Sequence, residues 1–347
     1  MKKKPAKQTG RPSLHYAGEV GGPFGWGVFG KYMTQELEKL FRVQTPPFDC
    51  ITPDVCLIPL ANPDLHPVRE WRGRINLGVA FFESELGPKA AENCARFDAV
   101  FVGSTWCNER LKERGIHNGR VLIQGVDQSI FYPRPRKPDG QFRIFSGGKF
   151  EWRKGQDIVI RAFAQFAKDH PEAHLVCSWF NPWPALAIDG AQRAGLTGQG
   201  STLEEFYADM MVRAGIPSDR FTVLPQLSHA QLAEEMAQTD CGLFPNRCEG
   251  GTNLVLMEYA ACGRSVIANK ATGHSDVSAL IDYHMGTEID ENGWAQQKPE
   301  HLAEALRLVR SDAPGPRNPF KPIPTWQAAA QTVAEAVNEI ARQPVAV

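Results

Sequence analysis

The chain has 347 residues, 42% of them hydrophobic, more than one compact domain usually holds and enough to build two cores. Its 38 basic and 39 acidic residues nearly cancel, so no overall field draws it to nucleic acid. Eight cysteines without a C-x-x-C pair and nine histidines without an H-E-x-x-H arrangement give no metal-ligand spacing, and no apolar run reaches the roughly 18 residues that a membrane helix needs.

Reduced thiols in a cytoplasmic protein are therefore the expected state. Residues 1–12, with Lys2, Lys3 and Lys4 ahead of Pro5, read as a disordered basic tail and not as a signal segment. Such a tail suits peripheral contact with anionic lipid on the inner face of a membrane.

A first domain is expected over residues 13–132. Residues 14–17 predict a strand, 18–30 a glycine-rich loop containing Gly22, and 31–41 a helix. Strands are expected at 54–60, 77–82, 99–104 and 121–124, with helices at 89–96 and 108–114 between them. This alternation is the mark of a parallel sheet with crossover connections. Pro133, Pro135 and Pro138 break the rhythm and place a linker at 133–141.

The alternation resumes in a second domain, 142–325. A strand at 143–145 leads into Ser146-Gly147-Gly148-Lys149-Phe150-Glu151-Trp152-Arg153-Lys154-Gly155, and Val159, Phe163 and Phe166 then mark one face of a helix. The basic cluster thus occupies a strand-to-helix loop, at the sheet end where ligands bind in such folds. A strand at 174–177 follows, then an irregular stretch around Pro182, Pro184 and 190–200. Trp179, Phe180 and Trp183 there either stack on a sugar or pack the loop. Helices at 203–214 and 230–239 flank a strand at 221–224, late strands are expected at 265–269 and 286–289, and helices at 303–309 and 326–340. The last, within 326–347, is expected to return across the first domain.

The most informative segment is Glu249-Gly250-Gly251-Thr252-Asn253, which follows a strand at 241–244 and opens a helix read as 252–262, with Glu258 on it and Gly263 at its end. The unpaired first-turn amides of such a helix, approached over glycines, suit a phosphate. Carboxylates on either side then suit the hydroxyls of a ribose and a hexose.

The acidic turn resembles the Glu-x7-Glu motif of retaining glycosyltransferases of family 4, and the basic loop resembles that family's Gly-Arg/Lys-x5-Lys-Gly loop. Here eight residues separate the two glutamates in place of seven. The resemblance implies an α/β fold of GT-B architecture, two Rossmann-like domains with parallel sheets facing a cleft. It implies that Glu249 lies by the donor sugar and that Glu258 holds the ribose. Lys149 and Lys154 neutralise the donor diphosphate, Arg153 being a neighbour that substitutes for either or points to solvent, and Gly22, Gly250, Gly251, Thr252 and Asn253 complete the diphosphate site.

The family's first-domain histidine has no counterpart in this chain; Glu83, at a strand end, stands nearest its place, with His66 as a second candidate. The implied reaction moves a sugar from a nucleoside diphosphate to an acceptor hydroxyl with retention of configuration, the leaving diphosphate taking the acceptor's proton. No metal or other cofactor is expected. The partners implied are a nucleotide-sugar donor and a glycan, lipid-linked or small-molecule acceptor. Two alternatives stay open: a nucleotide-sugar epimerase or phosphorylase on the same fold, and a catalytically silent carbohydrate-binding or scaffold protein.

Overall fold

A computed structural model describes residues 10–343 except 23, 24, 50, 71, 138 and 313–320. Most of the basic tail, two residues of the first glycine loop and one proline of the expected linker therefore lie outside the described residues. The chain divides into two compact units, one taking residues up to 102, 108–122 and the chain from 326, the other 103–107 and 123–325.

The first unit carries β1 (Ser13–Tyr16), β2 (Arg42–Gln44), β3 (Val55–Ala61), β4 (His66–Pro67), β5 (Ile75–Ala80), β6 (Ala99–Val102) and β7 (Gly119–Val121). Six of them form a parallel ladder in the order β2-β1-β3-β5-β6-β7, and β4 pairs antiparallel on β3. The order turns back at β1, the switch point of a doubly wound sheet. Helix α1 (Gly25–Leu37) starts well before the expected residue 31. The reason is close packing: a Cβ on Gly27 would come 1.9 Å from the Gly21 carbonyl oxygen, so glycines that read as a loop let the helix back onto the chain before it. Helices α2 (Ala90–Cys94) and α3 (Thr105–Glu113) cross between the later strands. The C-terminal helix Trp326–Arg342 belongs to this unit, with Trp326 stacked on Tyr32 at 5.6 Å and Arg120 bonded to Glu339 at 2.5 Å.

The second unit is built on β8 (Phe142–Gly147), β9 (Ala173–Ser178), β10 (Phe221–Val223), β11 (Cys241–Phe244), β12 (Ser265–Ala268) and β13 (Tyr283–His284), all parallel, in the order β10-β9-β8-β11-β12-β13. That is the dinucleotide-fold order, reversing between β8 and β11. The main segment of the unit begins at Ile123, ahead of the linker placed at 133–141, because Val126 and Phe131 are buried with Phe145, Phe244 and Tyr259 in one of its cores.

Helix α4 (Gln156–Phe166) covers one face of this sheet with Val159, Phe163 and Phe166 fully buried, as the periodicity predicts. Helix α5 (Pro184–Arg193) occupies the stretch read as irregular. Its Pro184 sits in the first turn, where proline starts a helix instead of breaking one. Helices α6 (Leu203–Arg213), α7 (His229–Ala237), α8 (Leu254–Ala261) and α9 (Pro299–Ser311) complete the layers. Residues 288–289 and 295–296 form a small hairpin outside the main sheet.

Candidate functional site

Ligands in an open parallel sheet bind beyond the carboxyl ends of the strands where the strand order reverses. In the second unit those ends are the loops after β8 and β11, the two segments that carry the basic and acidic motifs. They are locked together. The Arg153 carbonyl accepts the N–H of Arg247 at 2.7 Å and that of Cys248 at 3.3 Å. The buried Arg247 guanidinium donates to both oxygens of buried Asp157 at 2.8 Å and to the Trp152 carbonyl at 2.7 Å, and lies 3.6 Å over the Trp152 ring. A bidentate pair of this kind fixes geometry as well as charge. Neither Arg247 nor Asp157 was expected in the site.

Glu249 is the centre of the cluster. Its carboxylate accepts from Lys154 Nζ at 2.5 Å, from Arg153 Nη1 at 3.1 Å and from the Asn246 side-chain amide. Burial by itself raises this carboxyl, but Lys154 and Arg153 outweigh it and hold the group down at about 2. Arg153 also meets Glu151 at 2.9 Å, and Lys149 meets Glu151 at 2.9 Å. Three cations against two carboxylates leave the cluster with one net positive charge. Lys154 and Arg153 are thus the pair that converges on Glu249. Arg153 is turned into the cluster and not to solvent, and Lys149 stands apart with its Nζ 4.6 Å over the exposed Trp183 ring.

The glycine turn differs from the sequence reading in where the helix starts. Helix α8 begins at Leu254, not 252, because Asn253 takes a left-handed conformation (φ 63°) and caps it, its side-chain oxygen accepting the Leu256 N–H at 3.4 Å. Leu254 and Val255 then present the first-turn amides that have no intrahelical acceptor. Thr252 is fully buried and its hydroxyl donates to Met257 Sδ at 3.4 Å, so only its backbone faces a ligand role. The Gly250 carbonyl is taken by Ser104 Oγ at 2.9 Å and Cys107 Sγ at 3.0 Å, from residues 103–107 of the same unit.

A third loop, after β12, wraps the turn without any expectation from sequence. The Glu249 N–H donates to Thr272 Oγ1 at 3.1 Å, and the Gly273 N–H donates to the Glu249 carbonyl at 3.0 Å. A Cβ on Gly273 would lie 1.5 Å from the Gly251 carbonyl oxygen, so only glycine fits. The glycine and threonine after a buried strand were the available signal.

Glu258 is buried on α8, and its carboxyl makes no hydrogen bond or ion pair among the described residues. Burial pushes it up to about 8. Gly22 and Glu83 belong to the first unit, Gly22 exposed in the loop after β1 and Glu83 half-buried just past the end of β5. His66 lies in the short β4, paired with its own neighbour's carbonyl. Trp179 is fully buried against Phe150 and Tyr207 and donates to Ser146 Oγ at 2.9 Å, which makes it core and leaves Trp183 as the exposed ring of the three aromatics' loop.

Among the described residues no helix is long and apolar enough to cross a membrane, and no three His, Cys, Asp or Glu side chains gather as metal ligands.

Comparison with known proteins gives three findings. The family model of glycosyl transferases group 1 matches residues 127–319. The D-inositol 3-phosphate glycosyltransferase of Arthrobacter sp. (strain FB24) is 25% identical over 200 residues, which is 55% of this chain and 42% of that relative, so the match spans less than half of the relative's length. Among solved structures, sucrose-phosphate synthase from Thermosynechococcus elongatus superposes with a TM-score of 0.68 at 15% identity, covering 95% of this chain and 99% of its own. Anabaena HepE in complex with UDP and glucose gives a TM-score of 0.56 at 14% identity, covering 95% of this chain and 97% of its own.

Proposed function

The chain belongs to glycosyl transferases group 1 and has a GT-B type α/β fold, and from that premise we propose that it moves a sugar from a nucleoside diphosphate to an acceptor hydroxyl with retention of configuration. The observation that carries this reading is the convergence of Lys154 and Arg153 on Glu249 beside the opening of α8. Charge on a departing diphosphate is stabilised best by donors already in place, and this cluster offers two cations and two uncapped helix amides. In the free protein Glu249 occupies those cations. A diphosphate entering the site competes with it for them, which releases the carboxylate toward the sugar.

Glu258, buried and unpartnered, suits the paired hydroxyls of a ribose, and Glu83 is the first unit's candidate for contact with the reacting centre. The diphosphate site as proposed uses lysine, arginine and backbone amides, so binding should not require a metal. The acceptor is proposed as a glycan, lipid-linked or small-molecule hydroxyl, and the protein's place as the cytoplasm, with peripheral contact at a membrane's inner face through the basic tail.

Titration with nucleoside diphosphates in the presence of a chelator tests the site. Binding seen only with added magnesium or manganese refutes the metal-free part. Proton NMR of early product tests the stereochemistry, and an inverted anomer refutes retention. Isomerised nucleotide sugar formed without acceptor would mark an epimerase instead.

A further inference from the structure

We propose that His274 is a positioning residue for the donor site: it holds Asn253 in the left-handed conformation that opens α8, and through Asn253 it places the first-turn amides. The inference rests on reading that turn as the diphosphate site.

Asn253 has φ 63° and ψ 88°, a region that residues with a Cβ seldom enter and that persists only when surroundings impose it. Two contacts impose it here. The Oδ1 accepts the Leu256 N–H, which leaves Nδ2 as the atom facing His274 Nε2 at 3.2 Å. An amide nitrogen only donates, so Nε2 must carry a lone pair and the ring proton must sit on Nδ1.

The surroundings keep the ring neutral. His274 is fully buried, and burial lowers its pKa to about 4, with Lys154 adding to the fall and Glu249 opposing it. These are the charged groups that face the ring, one from the loop after β8 and one from the turn after β11. The imidazole therefore stays an acceptor across neutral pH. Its own place is fixed by the turn after β12, where the His274 N–H donates to the Ala271 carbonyl at 3.1 Å.

The contact with His274 makes this angle stable without a glycine. A glycine at 253 would adopt the same angle unaided, which separates this role from mere packing.

The test compares His274→Asn, His274→Gln, Asn253→Gly and the double variant Asn253→Gly/His274→Asn. The probe is whichever of UDP, GDP and ADP the wild type binds most tightly. Glutamine places its oxygen near the position of Nε2, whereas asparagine reaches only that of Nδ1. Losing one neutral buried hydrogen bond should weaken binding roughly three- to tenfold in His274→Asn, and His274→Gln should restore it to within about twofold. In the Asn253→Gly background, His274→Asn should change affinity little.

Wild-type affinity in His274→Asn overturns the inference. So does an equal loss in both backgrounds, since the imidazole would then act on something other than Asn253. If His274→Asn does not fold, His274→Gln carries the test: retained affinity supports the role and a loss of about tenfold or more overturns it. The ring nitrogen shifts of histidine-labelled protein give a reading without any ligand, and a proton on Nε2 overturns the inference. A wild type that binds none of the three nucleotides refutes the diphosphate site itself, an outcome distinct from all of these.

Discussion

Replacing Glu258 by glutamine should flatten the pH dependence of stability. Burial pushes the Glu258 carboxyl up to about 8 from 4.5, with no cation beside it among the described residues to compensate. A carboxyl whose folded pKa is raised contributes its full stability below the unfolded value and loses it as pH rises toward the folded value. The window is thus pH 4.5 to 8, and the whole span corresponds to about 5 kcal/mol. Between pH 6 and 9 the accessible part is about 3 kcal/mol. Glutamine has the same shape and no proton to lose. Urea unfolding at pH 6 and pH 9 should therefore show the wild type losing that amount relative to Glu258→Gln. Parallel losses in the two proteins would refute the assignment of a protonated, unpartnered carboxyl. The same protonation has a consequence for binding. Ribose hydroxyls donate best to a carboxylate, so a nucleoside diphosphate seated on Glu258 should draw off its proton, up to about 0.9 of a proton at pH 7. Calorimetry in two buffers of different ionisation enthalpy reads this directly, with Glu258→Gln as the control that removes protons released by the nucleotide itself. Equal proton release by both proteins would refute a ribose contact at this residue.

Glu249→Ala should leave nucleoside diphosphate binding unchanged or tighter, because it frees Lys154 and Arg153, while turnover falls; abolished nucleotide binding would refute the role given to the carboxylate. Since its folded pKa is depressed to about 2, Glu249 contributes stability above pH 4.5 that is lost as pH falls through 2, about 3 kcal/mol in all, and acid unfolding of Glu249→Ala should be correspondingly less steep. Lys154→Ala and Arg153→Ala should each weaken diphosphate binding by the roughly 1.5–3 kcal/mol of a charge-assisted contact, and Lys149→Ala by less, since Lys149 is paired with Glu151 and lies outside the Glu249 contacts; equal small losses in all three would reduce the loop to a charged turn. Glu83→Gln should lower turnover strongly with donor affinity nearly intact, and wild-type turnover in that variant would remove Glu83 from the reaction.

The second sheet was legible because local signals agreed. Apolar strands, a glycine turn and the 3.6-residue spacing of Val159, Phe163 and Phe166 each fixed an element without reference to distant chain. What escaped depended on partners far away in sequence. Nothing near Arg247 announces Asp157, ninety residues before it, and Gly273 looks like any turn glycine until the Gly251 carbonyl is brought against it. The basic loop shows the same limit in a sharper form. Spacing favoured Lys149 and left Arg153 open, but the one-turn helix Trp152–Lys154 swings Arg153 and Lys154 together toward Glu249. Helix α5 was hidden for a different reason, since Pro184 and Gly190 break helices in most places and are accommodated only where the helix starts and where it crosses Trp152.

The two glutamates of the acidic turn end with opposite protonation, and the environment alone decides it. Both are buried to a similar degree, and desolvation is the largest influence on each. Glu249 precedes the turn, where the loop after β8 delivers Lys154 and Arg153, and it ionises in spite of burial. Glu258 lies further along α8, beyond the reach of those cations, and keeps its proton. Paired carboxyls driven apart in this way supply two distinct chemistries within one site, one anionic acceptor and one group able to donate or to release a proton as a ligand arrives. Exchange of the environments, not of the residues, would be needed to reverse the roles. A lysine introduced beside Glu258 should depress its pKa and remove the proton release on nucleotide binding while leaving Glu249 at about 2, and a simultaneous shift in Glu249 would show that the two carboxyls titrate as one coupled pair.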